Sequence, residues 1–119
     1  MSIESMIKKV KANPDYHKVG MILCHNGVVR QTTREGQEVT GLSITVDHEK
    51  LNKLIDSQKA KKGILDVQVE IIENKALEVG EDVMYIVVAG DIRDNVIETL
   101  TYTLNTIKTK ITSKKQFIK

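Results

Sequence analysis

The sequence predicts an α+β fold, with a largely antiparallel sheet and a long C-terminal helix. Three observations point to it. Helical spacing of apolar residues appears near both ends and again around residue 50. Between these stretches lie segments of strand length, alternating or continuously apolar. The resulting order is helix, strand, strand, helix, strand, strand, long helix, and adjacent strands of this kind belong to α+β rather than βαβ architectures. At 119 residues the chain is expected to form one domain, spanning 1–119.

The elements follow from local chemistry. "SIESMIKKVK" sets Ile3, Met6, Ile7 and Val10 on one helical face behind a capping Ser2, and Asn13-Pro14 ends that helix. "KVGMILCHNG" reads as a strand closed by a His25-Asn26-Gly27 turn. "VVRQTTREGQEV" is polar and centred on Gly36, as a loop would be. In "GLSITVD", Leu42, Ile44 and Val46 alternate with Ser43, Thr45 and Asp47, giving a half-buried strand. Asp47 is placed to cap a helix carrying Leu51, Leu54 and Ile55, which fades at "KAKKG". "LDVQVEI" alternates again, "EVGED" is a turn, and "VMYIVVAG" is apolar throughout, as a strand covered on both faces must be.

The last segment carries two signals. "TLTYTLNTIKTKIT" alternates and is rich in β-branched threonine, which favours a strand. Ile92, Val96, Ile97, Leu100, Leu104, Ile107 and Ile111 keep 3–4 spacing, which favours a helix. Strands of this length are uncommon, so a helix is expected, with Asp91 at its start.

Composition narrows the function classes. The apolar runs are too short to span a bilayer, and acidic Glu4 stands where a secretory leader needs basic residues, so a cytoplasmic protein is expected. Cys24 is the only cysteine; with no partner for a disulfide or CxxC pair, it is expected to be a buried structural thiol. His17, His25 and His48 lack ligand spacing, and no nucleotide-loop or nucleophile-elbow motif occurs, so neither a metal nor a cofactor is expected. The net charge of +2 and the 3% aromatic content argue against a nucleic-acid binder.

Charge is nevertheless concentrated in one place. From Lys108 to Lys119 there are five lysines and no carboxylate. Such a run is either a solvated tail or part of an anion-handling site.

Several segments together resemble one family. "HKVGMILCHNGVVRQTTREGQEVTGL" is similar to the strand, G-x-V-R, polar loop and V-x-G-L of the molybdopterin synthase catalytic (large) subunit, through Gly27, Val29, Arg30, Val39, Gly41 and Leu42. "ALEVGED" resembles that family's L-x-x-G-E turn through Leu77, Gly80 and Glu81. Lys108 and Lys115 match two lysines seven residues apart in the family's last helix. The likeness runs over roughly residues 16 to 117 in one register.

This resemblance implies an α/β-hammerhead-like domain that forms a homodimer and binds a ubiquitin-like small subunit. The partner's C-terminal Gly-Gly thiocarboxylate would enter a basic pocket and give its sulfur to cyclic pyranopterin monophosphate, in molybdenum cofactor biosynthesis. It implies substrate contacts for Arg30, Arg93, Lys108 and Lys115, and catalytic roles for Lys108 and Lys115. Two anions meeting in one cleft need fixed cations: arginine supplies a planar fork for phosphate, lysine a compact charge that can donate a proton or act as nucleophile. Lys115, flanked by Lys114, is the candidate for the latter role, while Lys110 and Lys114 are expected to be solvated.

The departures are specific. Ile92 stands where the family has the histidine of a His-Arg pair, "SKKQF" replaces W-K-[KR]-E, and "IENKAL" replaces H-R-x-G-E-L. They motivate an alternative, a non-catalytic module that keeps the fold and the dimer. A further expectation concerns distance. On one helix, Arg93 and Lys108 would lie roughly 22 Å apart at 1.5 Å per residue, so a site using both must join two protomers.

Overall fold

The computed structural model describes residues 2–119. It contains helices α1 (Ile3–Lys11), α2 (His48–Lys59) and α3 (Arg93–Thr106). The strands are β1 (Met21–Val28), β2 (Val39–Val46), β3 (Ile64–Ile71), β4 (Leu77–Glu78), β5 (Asp82–Gly90) and β6 (Thr112–Ile118). A short 3-10 turn at Tyr16–Lys18 precedes β1, and a π-helical turn, Ile107–Ile111, joins α3 to β6.

The strands form two antiparallel sheets, ordered β1-β5-β3 and β4-β2-β6. Apolar β5 occupies the centre of the first. Its Ile86, Val87, Val88 and Ala89 are wholly buried, because α1 covers one face and the main core the other. Val87 and Ala89 meet Met6 and Val10 of α1, whereas Met84, Ile86 and Val88 face Leu51, Leu54, Val96 and Ile107. That core also takes Leu42, Ile44 and Leu77 from the second sheet, so the two sheets share one apolar interior.

Helix starts behave as their side chains dictate. Ser2 accepts from the Ser5 amide while Ser5 Oγ accepts from the Ser2 amide, a reciprocal cap on α1. Asp47 Oδ1 accepts from the Lys50 amide at 3.1 Å and opens α2. Asp91 acts from one position further out than a cap. Ile92 is the N-cap residue of α3, and Asp91 Oδ1 accepts from the Ile92 amide at 2.6 Å and from Asn95 Nδ2 at 2.9 Å.

Three expectations need correction. "HNG" is not a turn: His25, Asn26 and Gly27 continue β1, opposite Ile86, Tyr85 and Met84. The long ladder with β5 outweighs local turn preference. Cys24 is exposed, because β1 is an edge strand and α1 packs against Ile22 without reaching it. The closing helix stops early. Thr112–Ile118 pairs with β2, so Lys115 lies on a strand rather than on the helix.

Gly41 marks where the three strands of the second sheet meet. A Cβ there would fall 2.2 Å from the Leu77 carbonyl oxygen, an atom that moves only if β4 moves. Gly41→Ala is therefore expected to destabilise the fold by about 1–3 kcal/mol, as overpacking does. Urea unfolding checks this; an unchanged midpoint would contradict the close approach of β4 to β2.

Candidate functional site: a basic cavity between the two sheets

A cavity of about 690 Å³ opens where the end of β1, the loop after it, β2, β6 and the π turn converge. Leu42, Ile44, Val83 and Met84 contribute apolar wall. The polar lining is strongly biased in sign: Arg30, Arg34, Lys108 and Lys114 face a single carboxylate, Glu35. Among the described residues none of these four cations is in an ion pair; the carboxylates are paired elsewhere, as in Lys59–Asp66 and Lys119–Glu38. Unneutralised cations gathered on a concave surface make an anion site.

Each cation has a structural reason for its place. Arg30 follows buried Val29, whose amide donates to the Glu81 carbonyl and whose carbonyl accepts from the Gly80 amide. These bonds pin the loop base to the Gly80 turn, where φ is +90°. Arg34 rides on a tight loop closed by Thr33, which is buried and bonds Gln37 through both backbone and hydroxyl. Gly36, with φ of +89°, completes that turn.

Lys108 projects from the π turn. Ile107 and Ile111 bury their side chains on either side, and the Thr112 amide closes back on the Ile107 carbonyl. The Ile111 carbonyl accepts from the Asp47 amide, tying the turn to the start of α2. Such wide turns interrupt α-helices and recur at functional sites. Lys114 reaches the cavity by strand alternation: on β6, Thr112, Lys114 and Gln116 face it, opposite Val46, Ile44 and Leu42.

The electrostatics single out Lys108. Partial loss of hydration lowers its pKa below the ordinary lysine value, and the charges of Lys114, Arg34 and Arg30 lower it further. The side chain as a whole remains exposed, so the dehydration is local to the cavity wall. His25 stands in the same lining, half-buried on the face of β1 that also carries Leu23. Its pKa is lowered first by burial and then by the charge of Lys108.

Of the four residues carried over from the resemblance, the fold brings two together. Arg30 and Lys108 share the cavity. Lys115 points from the opposite face of β6, with its ammonium 5.9 Å from the centre of the Phe117 ring, a cation–π distance. Arg93 begins α3 at the far end of the α3–π-turn rod from Lys108, highly exposed and 4.0 Å from Asp94. Three lining residues were missed. Lys114 was expected to be solvated; its signal was the alternation of "TKITSKKQ", legible only as a strand. Arg34 lay inside a loop read only as polar. His25 was hidden by reading "HNG" as a turn.

The sequence matches the family model described as MoaE protein over residues 1–110. The chain belongs to the MoaE family. The matched stretch holds Arg30, Arg34, Arg93 and Lys108; Lys114 and Lys115 follow it on β6. Among curated proteins, none matches this MoaE-family chain. Solved structures share its fold at low identity. The molybdopterin synthase of Staphylococcus aureus is 18% identical with a TM-score of 0.79, over 100% of this chain and 86% of that one. A complex of subunits 1 and 2 of the molybdopterin-converting factor from Helicobacter pylori gives 17% and 0.73, over 99% and 80%. Molybdopterin cofactor biosynthesis protein E from Burkholderia multivorans gives 17% and 0.76, over 99% and 84%. The α+β architecture with antiparallel sheets expected from the sequence is thus the architecture of these proteins.

Among the described residues, no helix is long and apolar enough to cross a membrane, and no group of three or more His, Cys, Asp or Glu is placed to hold a metal.

Proposed function

We propose that this MoaE-family chain is the large subunit of a molybdopterin synthase acting in molybdenum cofactor biosynthesis in the cytoplasm. In this reading it transfers sulfur from the C-terminal Gly-Gly thiocarboxylate of a ubiquitin-like small subunit to cyclic pyranopterin monophosphate. The observation that carries the reading is the basic cavity: Arg30, Arg34 and Lys114 gathered around a partly desolvated Lys108, with no ion-pair partners among the described residues.

The residues divide the work by chemistry. Arg30 presents a planar fork suited to the cyclic phosphate through two parallel hydrogen bonds. Lys114 and Arg34 add charge that attracts the second anion, the partner's thiocarboxylate. To Lys108 we assign the charge that develops on the acyl oxygen as sulfur departs. As an ammonium it stabilises that oxyanion and gives up a proton easily; as the free amine it is a nucleophile.

Arg93 and Lys115 lie outside this protomer's cavity and join the proposed site only through a second copy of the chain. Because α3 and the π turn form one rod, Arg93 and Lys108 remain roughly 22 Å apart within a protomer.

The test is conversion of cyclic pyranopterin monophosphate by the purified chain with a thiocarboxylated small subunit. Product is expected, and mixing Arg93→Ala with Lys108→Ala protein is expected to restore part of it through hybrid dimers. Absence of recovery in a verified mixed dimer would remove Arg93 from the site. Exposed Ile92, where the family has a histidine, favours a second reading as a non-catalytic binding module. Substrate bound without product would select it.

A further inference from the structure

His25 is a titratable group in the cavity, apart from the four cations that line it. It belongs to β1, paired with Ile86, and its ring lies on the face that continues Leu23 towards the cavity. His48 differs in every respect: it is exposed, and its Nε2 is held by Glu73 at 2.7 Å. His25 has no hydrogen-bond partner among the described residues, although it is half-buried. A free imidazole at the wall of a cation-lined cavity is poorly placed for stability and well placed for proton transfer.

We propose that His25 is the proton acceptor for the water that splits the acyl–sulfur bond in this cavity. The inference rests on the sulfur-transfer reading and deepens it. Once the thiocarboxylate sulfur has bonded to a substrate carbon, displacing an oxygen substituent that leaves with the bonding pair, the partner's tail is joined to it as a thioester. Release requires water. The water oxygen bonds to the acyl carbon and one of its protons passes to the His25 imidazole. The carbon–sulfur bond then breaks, with its electron pair leaving on sulfur as a thiolate held by Lys108. The tail departs as a carboxylic acid that ionises to solvent, and imidazolium returns its proton to water. No oxidant or reductant is needed.

A general base must be unprotonated at working pH. Burial and the charge of Lys108 both hold the His25 pKa below the ordinary histidine value, so the ring is neutral and able to accept. The charged groups sharing its cavity are Lys108 on the π turn, Lys114 on β6, and Arg30, Arg34 and Glu35 on the loop. Burial and Lys108 maintain that bias, and Lys108 also opposes the imidazolium once formed, favouring its rapid deprotonation.

Two measurements test this. In the complete system with thiocarboxylated partner, His25→Gln is expected to lower kcat by about 100-fold or more, as loss of a general base does. The acidic limb of the kcat–pH profile should vanish with it, while calorimetric binding of cyclic pyranopterin monophosphate stays within about twofold. His25→Asn should behave alike. An unaltered kcat and acidic limb in both variants overturn the role of His25. A wild-type chain that binds the substrate and forms no product overturns the sulfur-transfer reading, and this inference with it. The second measurement needs no turnover. By NMR, the His25 titration midpoint is expected to rise in Lys108→Gln, because a cation that disfavours imidazolium is gone. An unmoved midpoint would separate the two side chains and end the proposal.

Discussion

Lys108→Gln is expected to lower the kcat of the proposed sulfur transfer by about 100- to 10,000-fold, while leaving the fold at least as stable as before. The two halves have one cause. Lys108 is partly stripped of water and further crowded by Lys114, Arg34 and Arg30, so its charge is disfavoured in the native state. A cationic group whose folded pKa lies below its unfolded value costs stability at low pH, where both states are protonated. That cost is relieved as pH rises through the folded value, because the native amine can lose its proton first. Removing the cation should lift the cost at pH values where the native lysine is charged, and change little where it is already neutral. The side chain remains largely exposed, so solvent screening limits the gain to about 1 kcal/mol or less. Thermal unfolding at neutral pH and again in the alkaline range where lysine loses its proton, compared with wild type, reads the stability half; single-turnover sulfur transfer reads the other. Wild-type turnover in the variant would remove Lys108 from the chemistry. A clear loss of stability at neutral pH would instead show that Lys108 is a packing residue.

Most of the architecture was legible in the sequence because its signals were local. Ser2 and Asp47 announce helix starts through side-chain oxygens that accept from nearby amides. β5 announces itself as buried on both faces because no polar side chain interrupts Met84–Gly90 apart from the Tyr85 hydroxyl, which escapes to Asp82 at 2.7 Å. What was lost depended on partners distant in sequence. Thr112–Ile118 becomes a strand because β2 offers an edge, with Ile44 opposite Lys114 and Ser43 opposite Lys115. No periodicity within the segment can show that edge, and the helical spacing up to Ile111 runs straight into it. The site inherited this error. Helical spacing keeps Lys108 and Lys115 on related faces, whereas strand alternation sends Lys114 to the cavity and Lys115 away from it. His25 vanished for a similar reason: "HNG" has turn composition, and only the β5 ladder holds it extended. Arg30 was recognisable through the G-x-V-R resemblance, and the fold places it in the cavity.

Ile107→Ala is expected to cost about 2–5 kcal/mol and to impair sulfur transfer as well, without touching a charged group. Ile107 is wholly buried and packs in the main core with Leu51, Leu54, Val96 and Ile111. Its carbonyl accepts from both the backbone amide and the hydroxyl of Thr112, which closes the π turn and starts β6. Truncation to alanine removes the side chain that anchors this turn and leaves a void beneath Lys108. If the void persists, stability falls and the lysine stays in place. If the turn relaxes into it, part of the stability loss is recovered and Lys108 withdraws from Arg30 and Lys114. The two responses can be distinguished by the His25 titration. A retained turn keeps the imidazole midpoint low, while a withdrawn Lys108 lets it rise, as in Lys108→Gln. A stability loss below about 1 kcal/mol with unchanged turnover would contradict the claim that the π turn is held by its buried isoleucine. Ile111→Ala makes the comparison sharper, because Ile111 is also buried and its carbonyl accepts from Asp47 rather than from β6. It should cost comparable stability and disturb the start of α2 more than the lysine. A π turn that sets one cation against three others is strained electrostatically, and it persists because two isoleucines are wedged into the core on either side of that cation.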